Sequence, residues 1–101
     1  MPNIDVKELK ERLDRGEKFV FIDVREPYEY QEFNLGAQLI PLGEFPNAIP
    51  DLEKYKDEEI VIHCKMGGRS GVAQELLTRA GFKNVRNLEG GVLAWIQSFG
   101  I

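Results

Sequence analysis

Two short runs, residues 19–22 and 60–63, constrain the fold of this chain more than any other feature, because seven of their eight residues are apolar. Neither run alternates between apolar and polar positions, so both are predicted to be strands buried on both faces, which is typical of a parallel sheet. Two weaker strands are predicted at residues 38–40 and 84–88. Helical patterns separate these strands, and the alternation indicates an α/β fold.

Capping signals predict two helices in the first third of the chain. Asp5 followed by Glu8 has the form of a capping box, and Gly16 fits the end of the helix that begins there. Pro27 suits the first turn of a short helix that runs through Glu32.

Apolar spacing predicts two further helices in the second half. One ends at Gly81 and carries its apolar residues at helical spacing: Val72, Ala73, Leu76, Leu77 and Ala80. The other follows a Gly90-Gly91 turn and carries Val92, Trp95, Ile96 and Phe99, of which the last three are expected in the core. Residues 43–58 hold two prolines and mixed charge, and short helical pieces and loop are expected there.

The composition is that of a folded domain, and residues 1–101 are expected to form a single one. The chain is 43% hydrophobic and 30% charged, and its net charge of -4 argues against a nucleic-acid or membrane surface. It has neither an apolar run long enough for a bilayer nor the pattern of a secretory signal, so a cytoplasmic protein is expected. One cysteine excludes an internal disulfide and a thiol-based zinc site; no metal or cofactor is expected.

That cysteine, Cys64, follows the second apolar run and begins a short loop that ends at Arg69. Ligands of parallel α/β sheets bind beyond the carboxyl ends of strands, which is where Cys64 is expected. Gly67 and Gly68 permit backbone conformations in which successive N–H groups point inward, and the helix that follows adds its positive end. We therefore expect Cys64 to be a thiolate nucleophile for an anionic substrate.

Three polar residues near Cys64 are predicted to have supporting roles. Asp23, at the end of the first apolar strand, would raise the thiol pKa if it were close, so it is predicted to pair with a cation or to brace the loop. Arg25 is predicted to be that cation or a substrate contact, with structural support favoured over direct catalysis. Adjacent strand residues point to opposite faces, so His63 should point away from Cys64 and be a buried, hydrogen-bonded histidine.

The sequence resembles the single-domain rhodanese sulfurtransferases over essentially its whole length. The matching blocks are residues 21–30, Gly36-Ala37 with Ile40-Pro41, the loop residues 62–70, residues 80–82 and residues 88–95. Many relatives carry Gly-His-Ile before the Gly-Ala, whereas residues 33–35 here read Phe-Asn-Leu. That variant is similar to rhodanese domains fused to sulfur-carrier activating enzymes.

The resemblance implies a rhodanese-like α/β fold with a parallel sheet flanked by helices on both faces. It also implies a sulfurtransferase in which Cys64 takes the outer sulfur of a donor such as thiosulfate or a persulfide. The persulfide would then pass that sulfur to cyanide, to a thiol or to a protein acceptor. No nucleic-acid or membrane partner is implied.

The remaining loop residues are predicted to bind substrate. Arg69 would bind the sulfonate of the donor or hold loop carbonyls, and Lys65 would add positive potential or be an ordinary exposed lysine. Met66 would contact a partner or simply be exposed. Ser70 would donate to the bound sulfur or cap the helix.

Two alternatives stay open from the sequence. A cysteine-based phosphatase or arsenate reductase shares the nucleophile, the ring of N–H groups and the closing arginine. Protein-phosphatase loops hold five residues between the cysteine and the arginine, whereas four separate Cys64 from Arg69, and the tighter ring suits a single sulfur atom. A non-catalytic rhodanese-like binding module is the other alternative, although such modules commonly lack the cysteine.

Overall fold

A computed structural model of the chain describes residues 3–101 and contains a four-stranded parallel sheet. The strands are β1 (Val20–Asp23), β2 (Gln38–Leu39), β3 (Glu59–His63) and β4 (Asn84–Asn87), in the order β2-β1-β3-β4. All three strand pairs are parallel, and the register places Asp23 beside His63. The predicted parallel sheet is therefore confirmed, with strand bounds that differ by one residue, and β1 and β3 end at the same edge.

Five α-helices connect and cover these strands. They are α1 (Val6–Asp14), α2 (Pro27–Glu32), α3 (Phe45–Leu52), α4 (Gly68–Arg79) and α5 (Gly91–Phe99), with 3-10 helices at Leu42–Glu44 and Glu53–Tyr55. The carboxylate of Asp5 accepts the backbone N–H of Glu8 at 2.8 Å, so the predicted cap begins α1. No helix within residues 3–101 has the length and apolar character needed to cross a bilayer.

Both faces of the sheet are buried, which is why the central strands are apolar without alternation. On the face covered by α3 and α4, the core includes Ile22, Ile60, Ile62, Phe45 and Leu77. On the face covered by α1 and α5, it includes Leu9, Val61 and Leu88, with Phe21 and Trp95 packed against them. The predicted helices on both faces are thus confirmed.

Two residues that helical spacing assigned to the apolar face are exposed. Phe99 is 40% exposed because it lies in the last turn of α5, where its ring packs edge-to-face with Trp95 at 4.9 Å between ring centroids. The core prediction was therefore wrong for Phe99, while Trp95 is half-buried. Val72 is 52% exposed, because α4 turns Ala73 and Leu77 towards the sheet instead.

Candidate active site

The sulfur of Cys64 lies at the base of the loop between β3 and α4. Strand alternation turns Cys64 towards α4, and only 1% of the residue is exposed. The backbone N–H of Gly67 donates to the sulfur at 3.0 Å, and the hydroxyl of Ser70 donates to it at 3.3 Å. The sulfur is thus the acceptor of two donors near the start of α4, where the helix dipole also favours negative charge.

These donors determine the protonation of Cys64. Burial raises the pKa of the Cys64 thiol, because a buried thiolate is poorly solvated. The side chain and backbone of Ser70, with the backbone of Gly67 and Met66, hydrogen-bond the thiolate and more than offset burial. The pKa of Cys64 is therefore lower than that of an ordinary thiol, which favours the nucleophilic form at neutral pH.

Replacing Ser70 with alanine is expected to raise the pKa of Cys64 by about one unit, because a hydrogen bond to a charged group is worth about 1.5 kcal/mol. The measurement is the ultraviolet absorbance of the thiolate as a function of pH. Cys64 is the only cysteine, so the signal reports one group, and a Cys64→Ala variant supplies the blank.

Ser98→Ala is the matched control, because Ser98 is an exposed serine on α5. We expect its titration to overlay that of the wild type. A Ser70→Ala midpoint equal to the wild-type midpoint would show that the hydroxyl does not stabilise the thiolate.

Asn87, at the carboxyl end of β4, braces this loop and was missed by the sequence analysis. Its Oδ1 lies 2.6 Å from the Ser70 hydroxyl oxygen and competes with the Cys64 sulfur for the single hydroxyl proton, and its Nδ2 donates to the carbonyl of Gly67 at 3.1 Å. Gly67 has a φ of 109°, in the left-handed region that favours glycine. The available signal in the sequence was an asparagine near the end of a predicted strand. Its partners, however, lie 17 and 20 residues away in the chain, so the sequence did not connect it with the loop.

The start of α5 holds the loop from the other side. The backbone N–H of Val92 donates to the carbonyl of Cys64 at 3.1 Å, and that of Leu93 donates to the carbonyl of Lys65 at 3.0 Å. The first N–H groups of a helix lack partners within the helix, so these loop carbonyls satisfy them. Gly91 has a φ of 57°, and a Cβ built there would lie 2.5 Å from both carbonyl oxygens. The sequence predicted the glycine turn but not this contact.

Arg69 has a partner that the sequence analysis did not identify. Its two terminal nitrogens donate to the two carboxylate oxygens of Glu29 on α2, at 2.7 and 2.9 Å. This geometry is a bidentate ion pair rather than the predicted contact with loop carbonyls. The other loop residues Lys65, Met66 and Gly68 are exposed, Met66 to 66%.

Asp23 and Arg25 form a buried ion pair on the other face of the sheet. A nitrogen of Arg25 lies 2.8 Å from Asp23 and 2.7 Å from the carbonyl of Phe33, and Asp23 also accepts the backbone N–H of Arg25 at 2.9 Å. His63 shares this face and packs 5.5 Å from the ring of Phe21, away from the Cys64 sulfur.

The ring of His63 is buried and in contact with polar atoms. Its Nδ1 lies 3.2 Å from the carbonyl of Cys64, whereas its Nε2 has no hydrogen-bond partner and lies 3.6 Å from Asp23. Burial lowers the pKa of His63, in spite of the nearby carboxylate, so the ring is neutral at pH 7. His63 does not suit a base for Cys64, because its ring lies on the opposite face from the sulfur and its lowered pKa makes it a weaker base.

A groove of about 290 Å³ adjoins the loop through Lys65. Its walls combine Tyr28, Phe33, Leu93 and Ile96 with Glu29. A larger cavity of about 520 Å³ lies near β2 and α3 and includes no loop residue. Within residues 3–101, no cluster of histidine, cysteine and carboxylate side chains has the form of a metal site.

Comparison with known proteins gives the same picture of fold and family. The model of the Rhodanese-like domain matches residues 5–98. A putative sulfurtransferase of Bacillus subtilis, YtwF, is 38% identical over 93 residues, which cover 91% of this chain and 87% of YtwF. The human single-domain sulfurtransferase TSTD1 has a TM-score of 0.80 at 26% identity, covering 96% of both chains.

One similar protein is much longer than this chain. The probable adenylyltransferase/sulfurtransferase MoeZ of Mycobacterium tuberculosis is 38% identical over 95 residues, which are 93% of this chain but 24% of MoeZ. The family match over nearly the whole chain, on a fold that carries the cysteine loop at the carboxyl end of β3, shows that the chain belongs to the rhodanese-like domain family.

Proposed function

We propose that this protein is a sulfurtransferase that carries a sulfane sulfur as a persulfide on Cys64. The observation on which the proposal depends is the convergence of the Gly67 N–H and the Ser70 hydroxyl on one sulfur atom, which lowers its pKa. Relatives whose names include sulfurtransferase support the same reaction class.

The first step is attack of the Cys64 thiolate on the outer sulfur of a donor, for which we propose thiosulfate or a persulfide. With thiosulfate, a bond forms between the cysteine sulfur and the outer sulfur. The sulfur–sulfur bond of the donor breaks, and its electron pair leaves with sulfite. The loop N–H groups then stabilise the persulfide anion in place of the thiolate.

The second step passes the outer sulfur to an acceptor, which we propose to be a thiol or a protein in the cell and cyanide in an assay. The chain has no second cysteine, so no thiol of the chain can release the outer sulfur by forming a disulfide with Cys64. The persulfide must therefore be collected by another molecule. A cytoplasmic location stays a prediction from the sequence.

Intact mass after treatment with thiosulfate tests the proposal. We expect the protein to gain the mass of one sulfur atom, cyanide to remove it, and Cys64→Ala to show no gain. If neither thiosulfate nor an organic persulfide adds sulfur to the wild type, the sulfurtransferase proposal is wrong.

The same preparation addresses the phosphatase alternative. Four residues between Cys64 and Arg69 form a ring that accommodates one sulfur atom better than a tetrahedral phosphate. Rapid hydrolysis of an aryl phosphate without any sulfur loading would reverse this preference. A Cys64→Ser variant that retained the full biological effect would instead favour a binding module.

A further inference from the structure

The closing arginine of the loop is already neutralised by a carboxylate. Both terminal nitrogens of Arg69 bind Glu29, whose Oε1 also accepts the backbone N–H of Glu26 at 2.9 Å. The Glu29 side chain is only 11% exposed, so three donors and its surroundings fix its position. A donor that needs the charge of Arg69 must therefore compete with Glu29.

Glu29 stays ionised throughout the range in which the protein would work. The hydrogen bonds from Arg69 lower the pKa of Glu29 to about 2, in spite of partial burial. Protonation therefore cannot release Arg69 near neutral pH. The charge of Arg69 is available to a ligand only if the ion pair separates.

The other groups around the loop do not restore a strongly positive entrance. Lys65 is an exposed cation, and the groove beside it also contains the carboxylate of Glu32. The guanidinium of Arg25 also lines the groove, but it is paired with Asp23. The walls of that groove are largely aromatic and aliphatic, with Tyr28, Leu93 and Ile96 among them. Such an entrance is poorly matched to a small dianion and better matched to a sulfur carried on an organic group.

We propose that Glu29 determines donor selectivity: by neutralising Arg69, it disfavours dianionic sulfonate donors relative to organic persulfides. This inference rests on the proposed sulfur transfer at Cys64 and assigns a further role within it. Glu29 acts through Arg69 and does not touch the reacting sulfur, so it is a positioning residue.

The two donor classes differ in the charge that Arg69 must offset. Thiosulfate brings two negative charges to the Cys64 thiolate, and sulfite leaves with two. An organic persulfide R–S–SH transfers its outer sulfur to form Cys64–S–SH, and the electron pair of the broken bond leaves on the thiolate R–S⁻. The thiosulfate reaction therefore depends far more strongly on a free guanidinium beside the loop.

The test compares wild-type protein with Glu29→Gln for two donors, thiosulfate and the persulfide of 2-mercaptoethanol, whose organic group is uncharged. The rate of sulfur addition to Cys64 is followed by intact mass in a single turnover. Removing one charge close to the dianion is expected to raise the ratio of thiosulfate to persulfide rate constants about tenfold. The gain should shrink as ionic strength rises.

Glutamine keeps the other contact of Glu29, because a Gln at this position can still accept the N–H of Glu26 as part of a capping box. Glu75→Gln is the matched control. Glu75 lies on α4, six residues beyond Arg69, and its replacement removes only a surface ion pair with Arg79. We expect the control to leave the ratio of rate constants unchanged.

Two results would overturn the inference. One is a pair of rate constants that are both unchanged in Glu29→Gln, which would mean that Arg69 leaves Glu29 freely for the donor. The other is an equal loss with both donors, which would mean that Glu29 only braces the loop. A wild-type protein that accepts sulfur from neither donor would instead refute the proposed function.

Discussion

Replacing Gly91 with alanine is expected to lower the free energy of unfolding by at least about 3 kcal/mol and to abolish the proposed sulfur transfer. The new Cβ would lie 2.5 Å from the carbonyl oxygens of Cys64 and Lys65, which are backbone atoms that cannot rotate away. The start of α5 would have to move, and the N–H groups of Val92 and Leu93 would lose the loop carbonyls. Chemical denaturation measures the stability, and the ultraviolet titration reports on Cys64.

Gly16→Ala separates this clash from the cost of the backbone conformation. Gly16 also has a positive φ, of 71°, but a Cβ there would meet nothing within 4 Å. Its replacement is expected to cost about 1 kcal/mol, the cost of placing a side chain in the left-handed region. Equal losses in the two variants would mean that the contact between Gly91 and the loop contributes nothing.

Replacing Asp23 with leucine is expected to destabilise the protein by about 3–5 kcal/mol, because it leaves the guanidinium of Arg25 buried without a counter-charge. Arg25 is 4% exposed and Asp23 is fully buried, so water cannot take over the contact. Denaturant unfolding gives the change in free energy, provided that the dependence of the free energy of unfolding on denaturant concentration is the same in both proteins.

The double variant Asp23→Leu with Arg25→Met distinguishes support from catalysis. Removing both charges eliminates the unpaired cation, so we expect it to recover a large part of the lost stability. It should also retain the lowered pKa of Cys64, because neither residue donates to that sulfur. If the folded double variant had an ordinary thiol pKa, Asp23 or Arg25 would act on the thiolate directly.

Much of the local structure could be predicted from short stretches of sequence. The apolar runs identified β1 and β3 because strands buried on both faces need no polar residues. The Asp5 cap, Pro27 and Gly81 located helix ends because each depends on the backbone chemistry of one or two residues. Exposure was less predictable. The spacing of Phe99 matches a core position, but its burial depends on whether the last turn of α5 lies over other parts of the protein.

The candidate site divides in the same way. Cys64, the glycine turn and the start of α4 are consecutive in the chain, so their proposed role could be predicted from the motif. Glu29, Asn87 and Gly91 contact that loop from elements 17 to 40 residues distant. Nothing in the sequence near Arg69 indicates that a carboxylate of α2 binds it.

The sequence by itself determined the succession of strands and helices along the chain, the position of the cysteine loop and the family that the chain resembles, because these depend on local pattern. Only the tertiary structure decided which donors bind the sulfur, what holds the loop carbonyls and whether Arg69 is free. Those properties depend on packing between elements that are distant in the chain. This packing places Glu29, Asn87 and the start of α5 around the loop between β3 and α4.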